Sequence, residues 1–177
     1  MHRSNRRFVL AFLAVVALLV LANSGSAGQE SRHVVLLGAS PWDADAGVFK
    51  PSGADFLLEH MTPGSCILRT LKSAASFIAD NVSYDRLDHA FVQKNRSRLL
   101  QRDYPSGPQK DMLGPGTLIV FQTGEGRMGK MEIKGFRSSH DFSFDEAAKI
   151  SEKLRDFLLK KPENEKHHLE IVWAWLD

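Results

Sequence analysis

Thr117-Leu118-Ile119-Val120-Phe121-Gln122-Thr123-Gly124-Glu125-Gly126-Arg127-Met128-Gly129-Lys130-Met131-Glu132-Ile133-Lys134 is the stretch on which the fold turns. Leu118 to Phe121 is an uninterrupted apolar run rich in β-branched and aromatic residues, the composition of a buried strand. Gly124 and Gly126 then bend the chain. From Arg127 onward the pattern alternates, with Met131 and Ile133 on one side and Lys130, Glu132 and Lys134 on the other. Two such runs around a glycine-rich turn are the signature of a β-hairpin.

The same residues touch three phosphate-binding patterns, and each needs a context that is missing. The dinucleotide fingerprint requires its glycines to open a helix, whereas the residues after Gly126 alternate as a strand does. A phosphate loop ending Gly129-Lys130 requires Ser or Thr next, and Met131 stands there. A kinase glycine loop does sit in a hairpin, but its catalytic and magnesium-binding motifs should follow. Neither occurs after Lys130. The stretch therefore reads as a hairpin turn.

Outward from the hairpin, Leu169, Ile171, Trp173 and Trp175 alternate with Glu170, Val172 and Ala174, predicting a closing strand with a heavy aromatic face. Between hairpin and closing strand, Ser143 and Glu146 have capping-box spacing. Ala147, Ile150, Leu154, Phe157 and Leu158 form a helical stripe, and Lys160, Lys161 and Pro162 suit its end. An amphipathic helix over about 143–161, packed on the sheet, is expected. Toward the N-terminus, 33–37 reads as an opening strand, 38–53 as turn-rich, 54–61 as a short apolar segment and 65–71 as a further strand. Residues 72–102 fit strand or helix. Residues 103–116, with Pro105, Pro108 and Pro115 among three glycines, read as a loop.

The first 27 residues concern address. Arg3, Arg6 and Arg7 precede the apolar run Phe8 to Ala22, and Asn23-Ser24-Gly25-Ser26-Ala27 closes it. That is the plan of a secretory signal peptide. Fifteen apolar residues fall short of the roughly 20 that span a bilayer, so cleavage near Gly28 is expected rather than retention as an anchor. The whole chain carries 23 Lys+Arg against 21 Asp+Glu. The three leader arginines account for its positive balance, leaving a mature chain at a formal −1. No electrostatic footprint of a nucleic-acid binder is left, and Lys94, Arg96, Arg98 and Arg102 read as a solvated face. The single cysteine, Cys66, cannot form an internal disulfide and reads as buried filler.

Few residues suggest chemistry. Asp43-Ala44-Asp45-Ala46-Gly47 resembles the start of a calcium loop, but Ala46 precedes the glycine and Ala54 occupies the twelfth position, where such loops place oxygen ligands. It reads as an acidic turn. His33, His60, His89, His140, His167 and His168 show no zinc spacing; His140, His167 and His168 are the candidates for metal or haem. Ser139-His140-Asp141 are adjacent in sequence, whereas a hydrolytic triad assembles in space.

The hairpin residues Thr123-Gly124-Glu125-Gly126-Arg127-Met128-Gly129-Lys130, with 116–122 before them and Leu169-Glu170-Ile171-Val172-Trp173 as closing strand, resemble the strand, T-x-E-G-R-x-x-K hairpin and last strand of β-rich bacterial exported domains. The β-rich haemophores carry a similar hairpin. Trp42-Asp43-Ala44-Asp45-Ala46-Gly47 is similar to an acidic element near the start of such domains. The resemblance implies an exported β-rich architecture and supplies no haem-ligating position.

Together these readings predict a signal peptide over 1–27 and one exported domain over 28–177. Its class is α+β: a mostly antiparallel sheet with one amphipathic helix, about 143–161, inserted before the last strand. Leu118, Val120, Met131, Ile133, Ile171 and Trp173 should lie in its core. The expected function is a non-catalytic binding or structural module, periplasmic or extracellular, whose partner is an unknown protein or small molecule, with neither nucleic acid nor membrane bound after cleavage and no cofactor. The alternatives are a haem- or metal-binding protein using His140, His167 and His168, and a hydrolase with dispersed residues such as Asp43, Asp45 or His140.

Overall fold

The computed structural model describes residues 30–38, 40–50, 52–62, 65–71, 73–109, 111–138 and 166–176. These residues form ten strands: β1 (Arg32–Leu36), β2 (Pro41–Asp43), β3 (Val48–Phe49), β4 (Phe56–Thr62), β5 (Ser65–Thr70), β6 (Ala75–Ile78), β7 (Asp103–Pro105), β8 (Leu118–Gln122), β9 (Met128–Ser138) and β10 (Lys166–Trp175). They assemble into two five-stranded antiparallel sheets, ordered β1-β10-β9-β8-β6 and β3-β2-β4-β5-β7.

The hairpin forms as its alternation requires. Leu118 to Gln122 pair with Glu132 back to Met128, and strand backbone runs on from Lys130 to Ser138. The connection closes with Thr123 N–H donating to Arg127 O and Gly126 N–H to Thr123 O. Gly126 has φ +90°, a conformation that side-chain-bearing residues rarely adopt. The closing strand β10 lies between β1 and β9, with Trp173 opposite Arg32 and Met131.

The principal core lies between the sheets. Trp42, Phe56, Leu58 and Leu68 of one sheet meet Ile119, Phe121, Met131, Ile133, Ile171 and Trp173 of the other. Trp42 packs edge-on against Trp173 at 5.3 Å between ring centroids, and Phe56 likewise against Phe121 at 5.3 Å. A second core covers the opposite face of β8: Leu118 and Val120 pack with Phe77, Leu87, Val92 and Leu176. β8 is thus buried on both faces, which is why its apolar run is continuous. All six residues expected in the core are buried.

The α+β class is corrected. The described residues contain no helix of seven or more residues and are mostly antiparallel sheet. One helix, α1 (His89–Lys94), is six residues long and is capped by Asp88, whose Oδ1 accepts from Phe91 N–H at 2.7 Å. The expected helix over 143–161 lies outside the described residues. The physical reason for the class is visible in the two cores: one face of the first sheet packs on the second sheet, and part of its other face is covered by irregular chain around 79–99 rather than by a long helix. The undecided stretch 72–102 resolves into β6, two single turns of 3₁₀ helix and α1. The turn-rich stretch 38–53 contains the small β2–β3 hairpin.

Lys130 is a buried cation of the hairpin. It lies on the face opposite Met131 and Ile133, as the alternation predicts, but that face is covered there and Lys130 is only 5% exposed. Its ammonium donates to Tyr84 O at 3.0 Å and Leu87 O at 3.1 Å and sits 4.6 Å from the Tyr84 ring centroid. Burial lowers its pKa.

Candidate functional site

A group of three carboxylates lies where the two sheets meet at one corner. The tight β2–β3 hairpin places Asp43 and Asp45 at its turn, with Gly47 at φ +65°. Asp43 Oδ1 accepts from Ala46 N–H at 2.7 Å, closing the turn on itself. Its Oδ2 lies 2.6 Å from the Lys50 ammonium, and this bond raises the Lys50 pKa.

Asp55 completes the group from the residue before β4. Its Oδ2 accepts from Ala44 N–H at 3.0 Å and its Oδ1 from Gly124 N–H at 2.8 Å. One carboxylate thereby clamps the 44–47 turn of one sheet to the hairpin turn of the other. Carboxylate oxygens of Asp43, Asp45 and Asp55 all lie within 4.8 Å of one another. Burial pushes the Asp55 pKa up, as do the charges of Asp45 and Asp43; the Gly124 and Ala44 amides pull it down. Asp45 has a side chain 10% exposed, and its buried Oδ1 accepts no hydrogen bond. The nearest cation is the Arg127 guanidinium, at 3.7 Å, which itself lies over the Trp175 ring.

The second feature is an open cleft beside β7, where Gln101, Arg102 and Asp103 join two depressions of about 490 and 390 Å³. The smaller one is lined by Phe77, Ile78, Leu100 and Tyr104, with Arg98, Arg102 and Asp111 bringing charge. Arg98 is committed: it donates to Ile78 O at 2.7 Å and lies over the Phe77 ring at 4.7 Å. Arg69 joins Glu59 at 2.5 Å and also pairs with Asp103. Leu100 is 52% exposed. Beneath the cleft, buried hydroxyls link the sheets, Ser76 Oγ lying 2.9 Å from Tyr104 OH.

The residues singled out by sequence fall unevenly on this frame. Asp43 and Asp45 come together, and Asp55 joins them. His140 lies outside the described residues. His167 is on β10, and its side chain is likewise outside the description. His168 is fully buried, and its Nδ1 accepts from Gly38 N–H at 3.2 Å. Cys66 is buried, and desolvation pushes its thiol pKa up to about 11. The hairpin glycines have structural tasks: Gly124 N–H serves Asp55, Gly126 makes the turn, and Gly129 leaves room for the Phe121 ring.

Asp55 is the residue that sequence reading missed. It stands one place beyond the twelfth position counted from Asp43, so a fixed-spacing template passes over it. Its signal is an acid directly ahead of the apolar run that begins at Phe56. No family model matches this sequence, and no curated protein or solved structure matches it either.

Proposed function

We propose that this chain is an exported, non-catalytic binding module whose ligand seats in the cleft beside β7. The observation that supports this reading best is the pairing there of exposed Leu100 with the Arg102 guanidinium. Among the described residues Arg102 has no ion pair, whereas its neighbours Arg69 and Arg98 are held by Glu59, Asp103 and Asp80. An apolar surface next to one uncommitted guanidinium suits a ligand that joins a carboxylate or phosphate to an apolar body. Export rests on the leader: a charged lead, a 15-residue apolar centre and a small-residue end.

The alternatives have less behind them. The haem or metal reading through His140, His167 and His168 finds His168 Nδ1 already serving Gly38. The hydrolase reading finds Asp43 held 2.6 Å from the Lys50 ammonium with its other oxygen closing its own turn, and Asp45 3.7 Å from the Arg127 guanidinium.

The test is a ¹H–¹⁵N titration of residues 28–177 with a panel of alkyl carboxylates and alkyl phosphates. Saturable shifts centred on Leu100, Gln101 and Arg102 that vanish in Arg102→Ala support the reading. Shifts centred elsewhere, or none across the panel, refute it. Sequencing the N-terminus of the exported protein tests the address; a start at Met1 refutes cleavage.

A further inference from the structure

The geometry points to a divalent-cation site, of the kind that takes Ca²⁺, formed by Asp43, Asp45 and Asp55. Three carboxylates within 4.8 Å of one another form a repelling group unless cations sit among them. Proximity alone describes many acidic turns. The second observation is Asp45: its side chain is nine-tenths buried, and its Oδ1 is out of solvent with no hydrogen-bond donor. A buried carboxylate oxygen with no donor retains the desolvation cost of that atom. Arg127, at 3.7 Å, offers charge but stands beyond hydrogen-bond reach.

The surrounding bonds hold these carboxylates as outer ligands hold a metal site. Ala46 N–H orients Asp43, while Ala44 N–H and Gly124 N–H orient Asp55. Each carboxylate keeps acceptor capacity beyond those bonds, because an ionised carboxylate has about four lone-pair sites. The charge also fits. Among the described residues, three carboxylates face one ammonium and one guanidinium within 4 Å, which leaves one negative charge uncompensated. A divalent ion taking the place of the Lys50 ammonium balances it. Lys50 can leave, since its side chain is 42% exposed and it is held by its ion pair with Asp43.

All-oxygen ligation selects a hard cation. Ligands supplied by a turn and a strand entry suit the flexible coordination of Ca²⁺ better than the strict small octahedron of Mg²⁺. The site is separate from the β7 cleft and does not depend on that reading. Its effect is architectural, because Asp55 ties the β2–β3 turn to the β8–β9 turn.

The experiment is Tb³⁺ luminescence on residues 28–177, excited through tryptophan, with Ca²⁺ and Mg²⁺ as competitors. Saturable emission displaced by Ca²⁺ at lower concentration than by Mg²⁺ is expected, with at least tenfold weaker binding in Asp45→Asn. No saturable emission in the wild-type chain overturns the proposal. So does an Asp45→Asn variant that keeps its near-ultraviolet circular dichroism and binds as the wild type does. Should that variant fail to fold, Lys50→Met decides. Several-fold tighter binding supports the site, and equal or weaker binding overturns it.

Discussion

Gly129→Ala tests the packing logic of the hairpin more sharply than removal of a large core residue. Gly129 lies opposite both Phe121 and Trp175 in the first sheet. A Cβ built there runs into the Cε and Cζ atoms of the Phe121 ring. That ring cannot swing away cheaply. It is fully buried, edge-on to Phe56 at 5.3 Å and tilted against Trp175 at 6.0 Å. Forcing extra volume into such a core costs about 1–3 kcal/mol. Alanine recovers roughly 0.5–1 kcal/mol of the entropy that glycine loses in a strand. The overlap wins, with a net loss of up to about 2.5 kcal/mol. At about 2–4 °C per kcal/mol for a domain of this size, thermal unfolding should fall by up to roughly 10 °C. Phe121→Leu removes the ring atoms that collide. In that background Gly129→Ala should be neutral or stabilising, with a coupling of about 0.5–3 kcal/mol. An equal change in both backgrounds, or a raised melting temperature in the single variant, refutes the reasoning.

Three further expectations follow from the same structure. Trp173→Ala should cost about 3–5 kcal/mol in denaturant unfolding, because Trp173 is buried between Trp42 and Trp175; a loss under 1 kcal/mol puts that face outside the core. Cys66 should resist iodoacetamide at pH 8 in the native chain and react on unfolding, since its pKa of about 11 keeps the buried thiol protonated; equal native and unfolded rates contradict its burial. Glu170 is held below the usual glutamate range first by Arg137, at 2.6 Å, and then by His33. A depressed acid contributes stability above its unfolded pKa, near 4.3, and loses it as pH falls through the folded value. Melting temperature should therefore drop as pH falls below about 4.3, with a smaller drop in Glu170→Gln; parallel profiles refute the assignment.

Local pattern made much of the architecture legible. β8 was readable because a strand buried on both faces carries no polar alternation. β9 and β10 were readable because one buried face imposes a period of two. The side of the sheet that Lys130 occupies was also readable, but not what covers it. A lysine in a clean alternation reads as solvent-facing until chain from 84–87 is laid across it. The stretch 72–102 was undecided because its elements are short: four residues of β6 and six of α1 complete neither period convincingly. The acidic turn was half legible. Asp43 and Asp45 announce themselves two apart, whereas Asp55 enters by folding.

By itself the sequence determined the hairpin, the identity of its inward residues and the turn at Gly126, since each depends on neighbours within a few positions. Tertiary structure alone decided that Asp55 would accept from Gly124, 69 positions away, and that Lys130 would donate to Tyr84, 46 positions away. Periodicity records which face of an element is apolar. It holds no record of which distant backbone amide or carbonyl will arrive beside a charge, because that depends on how two sheets and an irregular cover come to rest on one another.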